Sequence, residues 1–348
     1  MKFLFYNFPS ANHYITMGWM RVLGEMGHEC LIWNHGVPAF DIFDVVEPDV
    51  FVGASYDLDK ATVKCIEERP DMRVVLKSHN WGAMDDIIDI EEYPIGVATE
   101  EEKDLICEMK RKTGKPDLLL NWYHPNRMKD TMGGWDKEGV PTLGLQPAAD
   151  IFEYYPVSSQ PELECDIAFV GGFWGYKGKQ IKEMVSPLFY PVGKYNIKIF
   201  GNSIWPSPQY LGSASDETVR SLFSSAKICP NISEPHASKF GFEVNERVFK
   251  LSACKAFCIS DHIDSLCQDV FVNGEMPTAK TRQEFGDLVE FYLSNPEKRT
   301  EKANQCYNTV VGSHTYFHRI ENLCKSLGLN AEAEKALDLL KDFKHDDK

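Results

Sequence analysis

The chain has 348 residues, 43% hydrophobic and 26% charged, proportions of a globular protein whose length ordinarily divides into two domains. Its 37 basic and 52 acidic residues leave a formal charge of -15, which argues against a general nucleic-acid binder and leaves room only for a local basic groove. No run approaches the roughly 18 consecutive apolar residues of a membrane-spanning helix. The opening MKFLFYNFPSANHY turns polar by Asn7, as a buried first strand does and a secretory signal does not.

In chain order, Lys2–Tyr6 reads as a strand. Ile15, Met20, Leu23 and Met26 recur at helical spacing across Tyr14–Met26, and Glu29–Trp33 is the next strand. Asp49–Ala54 and Arg73–Lys77 are short buried strands around a helix over Leu58–Glu68. Further strands are expected at Ile95–Ala98 and Leu118–Asn121, with a helix over Glu100–Lys112. Short β-rich runs alternating with amphipathic helices predict parallel strands and an open doubly wound domain over residues 1–155. The Pro- and Gly-punctuated stretch from Gly133 to Glu164 breaks the pattern and sets a boundary near Tyr155–Glu162. A second alternation, residues 156–320, begins with Asp166–Val170 and the turn Gly171-Gly172. It continues through a helix near Lys179–Phe189 and a strand at Asn196–Phe200, and ends in helices over Arg282–Ser294, Pro296–Val311 and Tyr316–Leu327. Residues 321–348 form a C-terminal helix and charged tail that could pack back on the first domain.

The richest segment runs from Lys227 to Asp261, KICPNISEPHASKFGFEVNERVFKLSACKAFCISD. It reads strand, loop, helix, strand. Val244, Val248 and Leu251 give the helix a buried stripe, while Glu243, Arg247 and Lys250 share another face at the helix start. Gly241 permits the tight turn before it. A loop feeding a helix N-terminus at the carboxyl end of a parallel strand suits an anion. From the residues alone, an ordinary solvated helix face accounts for the same pattern. The ten cysteines are scattered, and the close pair Cys254 and Cys258 lacks a second pair to complete a zinc site. Reduced thiols in a cytoplasmic compartment are expected.

Five blocks in order carry a resemblance: QPAADIFEYYP (Gln146–Pro156), CDIAFVGGFWGYKGKQ (Cys165–Gln180), IKIFGN (Ile197–Asn202), VNERVFKLSACKAFCISD (Val244–Asp261) and SHTYFHR (Ser313–Arg319). Together they cover much of the second half, which resembles the CgeB-like (spore-maturation-protein-like) group of group-one GT-B glycosyltransferases. The resemblance implies an α/β GT-B fold of two Rossmann-like domains facing across a cleft. It implies transfer of a sugar from a nucleotide-sugar, a UDP-sugar by expectation, with no metal and no further cofactor. The departing diphosphate would be stabilised by basic side chains and a helix N-terminus. Donor binding then falls to Gly171, Gly172, Lys177, Asn202, Glu243, Asn245, Arg247 and Lys250, with Lys179 a further candidate. Catalysis falls to His79, which ends the fourth strand, and to Glu243. The first βα loop, Pro9–His13, would place Asn12 and His13 on the acceptor side, while His124 reads as structural.

Lys250 stands where the resembled group has a glutamate. A lysine donates to a ribose hydroxyl but cannot accept from it, so Glu243 or Glu246 would have to compensate, Glu243 being better placed. The acceptor stays open among a glycan, a protein, a small molecule and a modified DNA base of the phage or viral type. A non-catalytic nucleotide-sugar-binding module is the competing class, and the constellation of an epimerase is not apparent. Retention or inversion is also open; Asp85, Asp86 and Glu100 supply carboxylates in the first half.

Overall fold

The chain was analysed as a computed structural model that describes residues 1–6, 11–34 and 36–343. It divides into two compact units: Met1–Gln146 with Tyr316–Lys344, and Pro147–Thr315.

The first unit is built on a six-stranded, wholly parallel sheet. Its strands are β1 (Lys2–Tyr6), β2 (Glu29–Trp33), β3 (Val50–Ala54), β4 (Arg73–Lys77), β5 (Leu118–Asn121) and β6 (Thr142–Gly144), in the spatial order β2-β1-β3-β4-β5-β6. The central strands are continuous apolar runs, with every residue of β3 and β5 buried, because crossover helices cover both faces of a parallel sheet. Those helices are α1 (Ala11–Glu25), α2 (Ala39–Val46), α3 (Lys60–Glu67), α4 (Glu100–Thr113) and α5 (Met128–Lys137). The expected strand at Ile95–Ala98 does not form. Pro94 precedes it, and the segment contacts the sheet only through the bridge Asn80↔Val97, with Asn80 N donating to Gly96 O at 2.8 Å and Ala98 N to Asn80 O at 2.7 Å.

Helix α4 has strong local reasons to start and stop where it does. The Thr99 hydroxyl accepts from Glu102 N, three glutamates fill the first turn, Lys110–Lys112 fill the last, and Gly114 closes it at φ 77°.

The second unit carries a five-stranded parallel sheet of β7 (Cys165–Val170), β8 (Ile197–Phe200), β9 (Ala226–Asn231), β10 (Cys258–Asp261) and β11 (Thr278–Ala279), ordered β11-β10-β9-β7-β8. Its helices are α6 (Gly175–Met184), α7 (Ser186–Phe189), α8 (Asp216–Ser225), α9 (Pro235–Phe240), α10 (Glu246–Ala253), α11 (Arg282–Ser294) and α12 (Pro296–Ser313). The core gathers Phe169, Ile199, Ile228, Ile259 and Phe285. Trp205 packs edge-on to Phe169 at 4.8 Å and donates its indole N–H to Gly171 O at 2.9 Å. Helix α10 starts at Glu246, one turn later than the spacing predicts, because Asn245, the residue before it, is extended (φ −75°, ψ 154°). All ten cysteines lie among the described residues and none forms a disulfide.

The segments that enter and leave the second unit are tied together: Ala149 N donates to His314 O at 2.8 Å, and Ala149 bridges Thr315. In the first unit, the buried Arg319 Nε donates to Gln146 O at 2.8 Å. Two of the five sequence blocks, the first and the last, therefore owe their residues to this pairing.

The chain ends with α13 (Tyr316–Ser326) and α14 (Asn330–Asp342) in the first unit. Helix α13 docks on α1 where Gly18 leaves room for the Tyr316 ring. A Cβ at Gly18 would lie 2.2 Å from Tyr316 Cδ2, and that ring is 1% exposed. Alanine would gain at most ~1 kcal/mol of helix propensity, whereas overpacking a fixed core ring costs about 1–3 kcal/mol. Gly18→Ala is therefore expected to lower the urea midpoint; an unchanged or raised midpoint would show that the ring yields freely.

Candidate functional site

In open α/β sheets the carboxyl ends of the strands are where chain direction, loops and helix N-termini converge. In the second unit these ends hold a cluster of ionisable groups centred on Arg247. From the first turn of α10, its guanidinium reaches back to the sheet. Nε donates to Val170 O at 2.7 Å, and Nη1 to Asn231 Oδ1 at 3.1 Å and Ile232 O at 3.3 Å. Asn231 is itself fixed by donating to Ser260 Oγ at 2.8 Å. The guanidinium lies over the Phe169 ring, 5.0 Å from its centre. Nη2 faces Gly171, where a Cβ would approach it to 2.6 Å. This glycine is needed for close approach, by the arginine itself.

Lys177, in the first turn of α6, is 3% exposed and pairs with Glu234 at 3.0 Å; its ammonium also lies over the Trp174 ring. Burial and then the nearby Arg247 charge lower its pKa. Two cations thus share this sheet edge with Glu234, which pairs with Lys177, and with Asp261, whose charge acts on both. Asp261, at the end of β10, is buried, which raises its pKa against hydrogen bonds from Ser233 N, Ser238 Oγ, Ser233 Oγ and Ser260 Oγ. Its role is to hold the loop between β9 and α9.

The Asn245 side chain makes no capping bond, and both its Nδ2 and its Oδ1 are buried without a partner. An orphan amide at the head of a helix is costly unless something polar meets it.

Glu243, Arg247 and Lys250 do not share one face. Glu243 precedes the helix and accepts from His236 Nε2 at 3.0 Å, while His236 Nδ1 meets Tyr176 OH at 3.1 Å and the two rings stack at 5.8 Å. Lys250 is paired with Glu246 at 3.1 Å and lies over the Tyr154 ring at 4.7 Å. The carboxylate beside Lys250 is thus Glu246 rather than Glu243. Gly172 packs against Trp174, a Cβ there falling 2.9 Å from Cζ3. Asn202 and Lys179 are exposed and stand apart from the hydrogen-bonded cluster. Glu234, His236, Tyr176 and Trp174 were not singled out from the sequence. The signal available was Pro235 at the first position of α9, with Glu234 as its N-cap residue.

In the first unit, His79 follows β4. Its Nδ1 lies 2.9 Å from Glu102 Oε2, and its ring stacks on Tyr56 at 4.1 Å and 16°. Asn12 and His13 lie in the first turn of α1 rather than in a loop; Pro9 and Ser10 of the expected loop fall outside the described residues. Asn12 Oδ1 accepts from Trp122 Nε1 at 2.6 Å, and His13 is exposed. His124 caps the turn Pro125–Arg127, its Nδ1 accepting from Asn126 N at 3.3 Å. Asp85 closes its own turn by accepting from Gly82 N at 2.9 Å. Among the described residues, no group of three or more His, Cys, Asp or Glu side chains is arranged to hold a metal ion, and no helix is long and apolar enough to cross a membrane.

Residues 179–325 match the family model described as Glycosyl transferase-like. None of the curated proteins matches by sequence. Among solved structures, the chain is similar to T4 phage BGT in complex with its UDP-glucose substrate (15% identity, covering 97% of this chain and 100% of that one, TM-score 0.54). It is similar to HepE of Anabaena in complex with UDP (11% identity, 94% and 100%, TM-score 0.58). It is also similar to sucrose-phosphate synthase of Thermosynechococcus elongatus (8% identity, 98% and 98%, TM-score 0.63). The α/β architecture of two parallel sheets is the GT-B fold of these neighbours.

The His236–Glu243 pair has a pH signature. Burial disfavours the imidazolium, but the hydrogen bond and charge of Glu243, with Glu234, outweigh it and raise the His236 pKa. The pair's stabilisation is therefore complete below the ordinary histidine value near 6.5 and is lost as pH rises through the higher folded-state value. Glu243→Gln is expected to lower Tm more at pH 5.5 than at pH 8.5. Equal losses at both would remove the charge from the interaction.

Proposed function

We propose that the chain transfers a sugar from a UDP-linked donor to an acceptor nucleophile, and that it does so without a resident metal ion. The observation that carries this reading is the cradle at the head of α10. The unpartnered Asn245 amide stands at the N-terminus of α10, Arg247 in its first turn turns Nη2 toward Gly171, and Lys177 lies within the field of the Arg247 charge, all within the segment bearing the transferase-like match and its immediate N-terminal flank. A diphosphate brings the acceptor oxygens that such donors lack, and a helix N-terminus with two cations supplies the stabilisation a departing nucleoside diphosphate needs. UDP is the nucleotide of choice because two of the similar structures were solved with UDP or UDP-glucose.

In this reading Asn245, Arg247 and Lys177 hold the diphosphate. Gly171 and Gly172 leave room for Arg247 and Trp174 at the strand end, and the Glu246–Lys250 pair faces the ribose. Glu243 steadies His236 beside the cradle, and His79 handles a substrate hydroxyl. The five ordered sequence blocks support a CgeB-like reading, and the ten unpaired cysteines suit a reducing, cytoplasmic setting.

The test is a thermal-shift comparison of UDP, ADP and GDP in the presence of EDTA. A ligand that binds only the folded state at a hundred times its Kd adds ~2.7 kcal/mol of stability, so UDP is expected to raise Tm and the other two to do less. Arg247→Lys keeps the charge but loses the fork geometry and is expected to abolish most of the UDP shift. No shift with any nucleotide would sink the donor site, and a shift that EDTA removes would refute metal independence.

A further inference from the structure

His79 is a partly exposed histidine held as rigidly as a buried one. Its side chain is 31% exposed, whereas that of Glu102 is 4% exposed. The carboxylate of Glu102 is built into the unit from several directions. Oε2 faces His79 Nδ1 at 2.9 Å, and Oε1 accepts from the Ser55 hydroxyl, from Ser78 Oγ at 3.3 Å and from the His79 backbone N–H at 3.4 Å. The Tyr56 ring lies flat against one face of the imidazole. Gly96 backs the opposite edge so closely that a Cβ would fall 2.1 Å from His79 Cδ2 and 2.7 Å from Nε2. The Trp135 indole N–H donates to His79 O at 3.1 Å and fixes the backbone. Two strand-end segments, the Gly96 segment and two helices thus converge to orient a single ring.

We infer that Glu102 is a positioning residue that holds neutral His79 in the Nδ1–H tautomer, leaving Nε2 as a fixed acceptor for a hydroxyl of the substrate. The inference rests on the transferase reading for the identity of the substrate, and on geometry alone for the tautomer. A carboxylate can only accept, so the proton in the Nδ1···Oε2 bond belongs to the imidazole and the lone pair of the neutral ring falls on Nε2. Burial works against the ionised carboxylate, but hydrogen bonds from His79 and Ser55 keep the Glu102 pKa below its ordinary value, consistent with an acceptor-only partner. Among the described residues Nε2 has no hydrogen-bond partner, and its position after β4 is the end of the sheet at which α/β proteins bind ligands. A histidine that merely capped this turn would need neither Tyr56 nor the glycine at position 96.

The tautomer can be read directly on the full-length chain by two-bond ¹H–¹⁵N correlation of ¹⁵N-histidine protein at pH 8, with His79→Gln assigning the signal. The expected spectrum shows Nδ1 protonated and Nε2 bare. Glu102→Gln, isosteric and able to donate to Nδ1, is expected to mix the tautomers. Gly96→Ala, which leaves both partners in place, is expected to displace the ring from Tyr56 and shift its carbon-bound protons. Protonated Nε2 in the wild-type protein, or an unchanged tautomer in Glu102→Gln, overturns the inference. UDP-glucose, UDP and free glucose then identify the hydroxyl. Movement of the Nε2 resonance with UDP-glucose but not UDP assigns the donor sugar, and movement with free glucose assigns an acceptor hydroxyl. No movement with any of them overturns the hydroxyl role. Failure of UDP to raise Tm, with the tautomer as stated, would remove the donor reading and leave the dyad standing.

Discussion

One charged group organises the second unit. The Arg247 guanidinium donates to the last carbonyl of β7 and to a carbonyl and an amide at the end of β9, so it ties two neighbouring strands where their ladder stops. A cation taken out of water is costly unless its donors are met by acceptors of good geometry, and here two backbone carbonyls and the Asn231 side-chain amide oxygen meet them. Much else follows from that exchange. Gly171 must lack a side chain for Nη2 to fit. Lys177 sits in the same field, which is why Glu234 must lie against it. The loop that delivers Glu234 is in turn held by Asp261 through Ser233 and Ser238. The cradle is a consequence of how the sheet ends are closed, and its leftover polarity, the Asn245 amide and one face of Arg247, is what a ligand could use.

The first unit ends its strands differently. There the polar anchor is an anion, Glu102, delivered by the well-capped first turn of α4, and the groups around it are aromatic: Tyr56 on His79, Trp81 edge-on to Trp135 at 4.9 Å, Trp122 edge-on to Trp19 at 5.9 Å. Lys77 lies over both Tyr56 and Trp122. Flat rings and an imidazole suit hydroxyl-bearing or planar surfaces, whereas the second unit's cations suit phosphate. Each unit therefore has its own chemistry at the same end of its sheet.

Much of this was readable from the residues. Strands such as Lys2–Tyr6 and Arg73–Lys77 emerge with the bounds that their apolar runs suggest, because a two-sided parallel strand must be apolar throughout. Arg247 and Lys177 could be named because their spacing to a glycine turn and a helix start is local. What escaped was set by distance in sequence. Glu102 reaches His79 across 23 residues and Tyr176 reaches His236 across 60, and no periodicity reports such a meeting. Ile95–Ala98 looked like a strand because it is apolar, but Pro94 and the tight fit of Gly96 on His79 leave it a single bridge. Helix α8 carries both a capping signal, Ser215 with the acidic pair after it, and an apolar stripe of Val219, Leu222 and Phe223.

Lys250 shows how a substitution that looks disabling in one dimension reads in three. Alone, an ammonium at a position expected to be a carboxylate reverses both charge and hydrogen-bonding sense. Glu246 sits one turn earlier with its carboxylate 3.1 Å from Lys250 Nζ, and both side chains are nearly nine-tenths buried or more. The order, glutamate before lysine four residues on, is the favourable one for a helix. Tyr154 covers the ammonium from the other side. The turn thus still presents carboxylate oxygens, displaced by one helical turn and neutralised by the lysine. A pair of this kind can both accept from and donate to adjacent hydroxyls, whereas a lone glutamate can only accept. The departure thus reverses the charge at one position while Glu246, one turn earlier, keeps a carboxylate in the same turn.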